Sequence, residues 1–167
     1  MAAYSNGAWS DFALGQVGAS AALLGLVFVG LSINLRAVIR EPPLVSRAAE
    51  AVLLLGTVLA TSTAVLLPGQ TRLALAVELL VLGAAIAAWV VALQREIHAS
   101  AMKSSVPRAT VLLRRTSGLG APGLVVVAGA SLLVESGGGL YWWAPAIALA
   151  YLGALADAWV LLVEVLR

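Results

Sequence analysis

Five runs of about 20 mostly apolar residues, joined by short polar connections, make up most of this 167-residue chain. A run of that length forms a helix that crosses the roughly 30 Å hydrocarbon core of a bilayer. Only helices and closed barrels can satisfy their backbone groups in hydrocarbon, and the alternating segments of a barrel are missing here. The sequence therefore predicts an all-α bundle of five transmembrane helices, in one domain over 1–167. The predicted spans are about 12–35, 46–67, 73–94, 119–134 and 140–166.

The composition favours the lipid bilayer as the surroundings of this chain. Hydrophobic residues make up 62% of it and charged residues 11%, whereas soluble domains are about 25% charged. The net charge of +2 does not indicate a nucleic-acid partner, because the few basic residues lie at the ends of the apolar runs. Cysteine is absent, which excludes disulfides and thiolate metal ligands. Nine arginines against one lysine favour a bacterial coding sequence rich in G and C.

Basic residues in the connections predict the orientation of the spans, because short cytoplasmic loops are rich in Lys and Arg. The first and third connections carry most of them, the second carries one and the fourth none. The sequence therefore predicts an N-terminus outside, a C-terminus in the cytoplasm and a location in the bacterial inner (plasma) membrane. No cleavable signal peptide is expected, because the residues before the first run include no Lys or Arg. The third connection, about 95–116, is the predicted cytoplasmic contact; its basic residues are Arg95, Lys103, Arg108, Arg114 and Arg115.

Small residues at helical spacing predict two faces where helices pack closely, because small side chains let backbones approach. The face on the first span consists of Gly15, Gly18, Ala22 and Gly25. The face on the fifth span consists of Ala150 and Gly153, and Asp157 continues it one turn further on. Asp157 is therefore predicted to point into the bundle.

Acidic residues within the spans form the candidate polar or ion site. An isolated charge near the middle of a span costs about 2.5–3.5 kcal/mol, so Asp157 and Glu78 need partners or water. Arginines of the cytoplasmic side, or Asn34, are candidate partners of Asp157. Glu50 lies three residues after Arg47, which is the spacing of a local ion pair. Two interpretations stay open: polar contacts that fix helix register, or a path for a cation or proton.

No residues are arranged for catalysis or for cofactor binding. The stretch 118–123 fits G-x-G-x-x-G, but that pattern binds dinucleotides only between a strand and a helix. A flexible or kinked start of a helix is expected there instead. His98 is the one histidine, too few for a metal site, and no serine has a candidate base. The sequence predicts no cofactor, no metal and no catalytic residue, and a membrane-embedded enzyme is the least favoured alternative.

Two stretches, LLGLVFVGLSINLR from Leu23 to Arg36 and AWVLLVEVLR from Ala158 to Arg167, resemble a group of small bacterial integral membrane proteins. Some members of that group are described as modulators of the FtsH membrane protease. An amide often precedes the Ala-Trp pair in the group, and Asp157 stands there in this chain, which favours a polar contact over a role that requires charge. The resemblance implies a binding or regulatory protein and supplies no catalytic residues.

We therefore expect a non-enzymatic membrane protein that acts through helix–helix contacts and regulates or scaffolds another membrane complex. The expected partners are the lipid bilayer and either another membrane protein or further copies of this chain. The alternative is a subunit of an oligomeric ion channel or transporter that uses the buried carboxylates.

Overall fold

A computed structural model describes residues 2–101 and 108–165, without the side chains of residues 2, 43, 96–101, 108–115, 117 and 163–165. These described residues form five α-helices, three short 3-10 helices and no strand, which confirms the predicted all-α class. The α-helices are α1 (Ser10–Arg40), α2 (Pro42–Leu66), α3 (Arg72–Ala101), α4 (Arg108–Val134) and α5 (Trp143–Val165).

Proline, threonine and glycine residues fix where the helices begin and end. Pro42 occupies the first position of α2, and its ring keeps Glu41 extended at φ −117° and ψ 95°, so α1 ends there. Thr71 accepts a hydrogen bond at 3.2 Å from the backbone N–H of Ala74, which caps the start of α3. Gly138 has φ 110° in the turn after α4, a conformation that favours glycine.

Helices α2, α3, α4 and α5 form a four-helix ring, and α1 packs against its outside. Helix α2 contacts α3 and α5, and α4 contacts the same two helices, so the ring is closed. Helix α1 packs mainly on α2, with which it forms a hairpin, and it touches α5 along one edge. The interior of the ring is apolar; it includes Leu54, Val58, Leu79, Val125 and Ala146.

The connections between helices gather at two ends of the bundle. The aromatic end holds residues 2–9, the α2–α3 turn and the α4–α5 turn. Trp9 packs edge-on there against Tyr141 and Trp143, with ring centroids 5.2 and 6.2 Å apart. Asn6 donates a hydrogen bond to the carbonyl oxygen of Gln70 at 3.4 Å, which ties residues 2–9 to the α2–α3 turn. The basic end holds the α1–α2 turn, the C-terminal ends of α3 and α5 and the N-terminal end of α4.

Four of the described helices are long and apolar enough to cross a membrane, and α4 has a shorter apolar part. That part covers Gly118–Val134, and arginines stand earlier in α4, at positions 108, 114 and 115. The stretch 95–116, predicted as a loop, is helical over 95–101 and 108–116. Helices α3 and α4 continue into it, in keeping with the high helix propensity of Arg, Glu and Ala.

Helices α3 and α4 approach each other closely at two glycines. A Cβ at Gly129 would lie 2.9 Å from the carbonyl oxygen of Ala76 and 3.0 Å from the backbone nitrogen of Leu80. A Cβ at Gly83 would lie 3.1 Å from the carbonyl oxygen of Pro122. Because these obstacles are backbone atoms, the two helices reach this distance only where a side chain is missing. Neither glycine belongs to a face that sequence spacing predicted.

Candidate functional site

Asp157 of α5 and Arg47 of α2 form a largely buried ion pair near the basic end. Nη1 of Arg47 lies 3.1 Å from Oδ1 of Asp157, and the two side chains are 18% and 6% exposed. Asp157 points into the bundle, and Gly153 and Ala150, one and two turns earlier on the same face, are buried with it. The opposite charge of Arg47 offsets the desolvation of the carboxylate.

Glu50, which sequence spacing predicts as the partner of Arg47, lies in a different environment. Arg47 reaches across to Asp157 on another helix, while the Glu50 side chain is 1% exposed and faces α4. A Cβ at Gly118 would overlap Oε1 of Glu50 and would lie 2.9 Å from Nε2 of Gln94. Gly118 therefore makes room for a carboxylate and an amide that meet between α2, α3 and α4.

Sequence reasoning missed the roles of Gly118 and Gln94. Gly118 stood out only as the first residue of G-x-G-x-x-G, which lies inside α4 with Pro122 in the helix interior. The predicted start of a helix at this point is wrong, because α4 runs continuously from Arg108. Gln94 closes the third apolar run, and it is buried where α3 meets Gly118 of α4.

Asn34, a candidate partner of Asp157, bonds to its own helix. Its Nδ2 donates a hydrogen bond to the carbonyl oxygen of Gly30, one turn earlier on α1, at 3.0 Å. The Asn34 side chain is half-buried and lies between α1 and α5.

Glu78 lies near the aromatic end, where the α2–α3 turn supplies its partner. Nε2 of Gln70 donates a hydrogen bond to Oε2 of Glu78 at 2.5 Å. Arg72 belongs to the same end; it pairs with Glu135 at 2.5 Å and donates to the carbonyl oxygen of Leu132 at 2.8 Å. Glu78 and Asp157 are thus held by different partners, on different helices, toward opposite ends of the bundle.

The residues of the predicted cytoplasmic contact fall largely outside the described part of the chain. The side chain of Arg95 is described, and it is exposed on α3. Lys103 lies outside the described residues, as do the side chains of Arg108, Arg114 and Arg115. The side chain of His98 lies outside them too.

The predicted packing face of α1, which we call the small-residue face, is exposed. Its members Gly15, Gly18, Ala22 and Gly25 are all exposed. A Cβ at any of these three glycines would meet nothing within 4 Å. The side of α1 that meets α2 instead carries Ala13, Ser20 and Val38, which are buried. Small residues permit close packing but do not require it, and here another side of α1 makes the contact, with Leu23, Leu24 and Val27 also packed against the core.

A side-chain hydrogen bond that sequence reasoning missed links α1 to the outside of the ring. The hydroxyl of Tyr151 on α5 donates to Oε1 of Gln16 at 2.9 Å. Each residue is polar within an otherwise apolar run, which is the one signal that could have paired them. This contact and an apolar cluster of Val38, Ala48 and Leu161 connect α1 to the ring near its two ends.

Some of the described polar groups bind one another across helices, as Arg47 does with Asp157 and Tyr151 with Gln16, whereas others such as Asn34 bond to their own helix. No group of three or more His, Asp and Glu side chains that could hold a metal is found within the described ranges. No family model, curated protein or solved structure matches this chain. The resemblance to modulators of the FtsH protease therefore stays a prediction.

Proposed function

We propose that this chain is a non-enzymatic integral membrane protein of the bacterial plasma membrane, which regulates or scaffolds another membrane complex through helix–helix contacts. In this proposal α1 is the docking helix, and its small-residue face meets a transmembrane helix of the partner. The four-helix ring holds α1 in position. The basic residues of 95–116 offer a second contact in the cytoplasm.

The observation that carries the proposal is the exposure of α1. This helix has 31 residues, and among those described only Ala13, Ser20 and Val38 are buried. Its small-residue face lies away from the side that meets α2, as helical spacing requires. Association of helices in lipid depends on packing rather than on the hydrophobic effect, and small residues supply the close approach. An exposed face of this kind therefore supports a partner helix outside the chain.

Three features support the membrane placement and its predicted orientation. Four helices have the length and composition of membrane spans, and the apolar part of α4, 17 residues from Gly118 to Val134, lies at the lower end of the usual range of about 17–25 residues. Large apolar side chains cover the outside of the bundle, such as Ile33 at 77% exposure and Trp159 at 69%. Charge is divided between the ends, since the basic end carries most arginines and the aromatic end carries Arg72.

Transport of a cation or proton finds less support. Glu78 is bonded to Gln70 and Asp157 is paired with Arg47, so each carboxylate already has a polar partner. Along α2 the buried residues between Glu50 and Thr57 are apolar, and tightly packed apolar side chains give water no path.

Cysteine labelling tests the orientation, since the chain contains no cysteine of its own. Ser5→Cys places a thiol at the aromatic end and Arg95→Cys places one at the basic end, both at exposed positions. In intact cells a membrane-impermeant maleimide is expected to label Ser5→Cys alone, and permeabilised cells should show both labelled. Labelling of both variants in intact cells would show that the two ends face the same side, and the proposed topology would fall.

Site-specific photo-crosslinking tests the docking role of α1. A photoreactive residue at Ala22 is expected to capture a second membrane protein in native membranes, whereas the same residue at Ala84, exposed on α3, should not. Ala22→Leu should lower the amount of partner recovered in mild detergent by about tenfold, or about 1.4 kcal/mol of binding free energy. Ala84→Leu, the matched control, should recover as much partner as the wild-type chain.

Two outcomes would contradict the proposal. Capture of only other copies of this chain at Ala22 would favour an oligomeric channel subunit. Equal capture at Ala22 and Ala84 would show that α1 has no special role.

A further inference from the structure

An asparagine followed by a glycine, Asn6 and Gly7, lies in the short segment before α1 and begins the 3-10 helix Asn6–Trp9. In such a pair the glycine nitrogen can attack the side-chain amide of the asparagine, because glycine has no Cβ to hinder the approach and its backbone turns freely. The chain contains one other asparagine, Asn34, which is followed by Leu35. Asn34 therefore serves as an internal comparison for the reactivity of Asn6.

The backbone nitrogen of Gly7 is not held by the helix in which it lies. The first hydrogen bond of this 3-10 helix comes from Ala8, whose N–H donates to the carbonyl oxygen of Ser5 at 3.2 Å. The N–H groups before the first bond of a helix have no partner within it, and Gly7 is one position earlier. Gly7 is exposed and Asn6 is half-buried, so water reaches the pair.

The Asn6 side chain is only weakly restrained. Its Nδ2 donates to the carbonyl oxygen of Gln70 at 3.4 Å, which is longer than the usual 2.7–3.2 Å. No side chain caps the start of this helix, and a 3-10 helix of four residues has few hydrogen bonds, so it opens at a low free-energy cost. Asn34 lies instead inside the 31-residue helix α1, and its Nδ2 is bonded at 3.0 Å to the carbonyl oxygen of Gly30.

We propose that Asn6 is a site of spontaneous deamidation through a cyclic imide formed with Gly7. The nitrogen of Gly7 forms a bond to Cγ of Asn6, and the bond from Cγ to Nδ2 breaks. Nδ2 leaves as ammonia with the proton that the Gly7 nitrogen gives up. Water then opens the imide at either of its two carbonyl groups, which leaves aspartate or isoaspartate at position 6. Nothing is oxidised or reduced, and water is the only co-reactant.

Deamidation would release one contact between residues 2–9 and the rest of the bundle. The Asn6 amide is a donor to the carbonyl oxygen of Gln70, whereas a carboxylate only accepts hydrogen bonds. The product therefore loses its bond to the α2–α3 turn, while the ring contacts of Trp9 stay in place. This modification goes beyond the proposed function and does not depend on it, because it needs neither a partner nor a particular orientation in the membrane.

Peptide mapping by mass spectrometry of the full chain, aged for days at physiological temperature, tests the reaction. Asn6 is expected to gain one mass unit and to yield both aspartate and isoaspartate, while Asn34 keeps its amide. Gly7→Ala should slow the reaction by about tenfold, which is about 1.4 kcal/mol of activation free energy. A Cβ at Gly7 meets nothing within 4 Å, so this variant keeps the fold. Gly15→Ala, at another exposed glycine with free space, is the matched control and should react like the wild-type chain.

Hydrogen exchange measured on Asn6→Asp tests the loss of the contact. Exchange should become faster over residues 3–9 than in the wild-type chain. Ser5→Asp adds the same carboxylate at an exposed neighbouring position without touching the bond to Gln70, and it should not speed exchange there. The proposed reaction is overturned if Asn6 reacts no faster than Asn34, if Gly7→Ala reacts as fast as the wild-type chain, or if aspartate forms without isoaspartate. Equal exchange in Asn6→Asp and Ser5→Asp would overturn the proposed release.

Discussion

Arg47→Met is expected to lower the free energy of unfolding by about 3–5 kcal/mol, the largest loss that we predict for a single substitution. Methionine keeps much of the length of the side chain but removes the charge that lies 3.1 Å from Oδ1 of Asp157. A carboxylate that is only 6% exposed would then stay buried without its cation. Equilibrium unfolding in detergent mixed with increasing SDS, followed by tryptophan fluorescence, measures the change.

Three further variants, Arg36→Met, Asp157→Leu and the double variant Arg47→Met with Asp157→Leu, separate the ion pair from a general effect of losing an arginine. Arg36→Met removes an exposed arginine and should change the free energy of unfolding by less than about 0.5 kcal/mol. The double variant Arg47→Met with Asp157→Leu should recover most of the loss, because no buried charge then lacks its partner. If the effects of the two single substitutions simply add in the double variant, the two side chains are not coupled and our account of the pair fails.

Gly129→Leu is expected to cost about 3 kcal/mol, at the upper end of the usual effect of overpacking. The new side chain would begin 2.9 Å from the carbonyl oxygen of Ala76 and 3.0 Å from the backbone nitrogen of Leu80. Backbone atoms cannot rotate aside, so α3 and α4 would have to separate. The same SDS titration measures the loss, and a shift in the proximity of labels on α3 and α4 would show the separation.

Gly25→Leu is the matched control for Gly129→Leu. Gly25 is also a helical glycine, but it lies on the small-residue face of α1, and a Cβ there meets nothing within 4 Å. Leucine favours the helix more than glycine does, by close to 1 kcal/mol, so Gly25→Leu should leave the chain as stable as before or slightly more stable. If both substitutions cost the same, close packing of α3 and α4 is not what requires Gly129.

The number and order of the helices could be predicted from the sequence. Five apolar runs gave five helices, and the turns after Leu66 and Val134 fall at the predicted proline and glycine clusters. The inward orientation of Asp157 was also predictable, because helical spacing places it on the face of Ala150 and Gly153. These features are local, since they depend on the length of an apolar run, on turn residues or on the period of a helix.

Partners between helices could not be predicted in the same way. Spacing along α2 favoured Glu50 as the partner of Arg47, but the guanidinium reaches Asp157, 110 residues away along the chain. The spacing of small residues predicted a close helix contact on α1, whereas the structure has its close contact between α3 and α4, at Gly83 and Gly129. Sequence spacing shows which residues of one helix share a face, and it carries no information about which helix that face will meet.

The sequence by itself determined that the chain forms helices, how many there are, and where their charged ends lie. Each of these features depends on a single segment, namely on the length of an apolar run and on the arginines beside it. Only the tertiary structure decided that four helices close into a ring while α1 stays outside with its small-residue face exposed. This arrangement depends on which helix faces pack best against one another. That packing depends on the shapes of side chains from segments far apart in the chain.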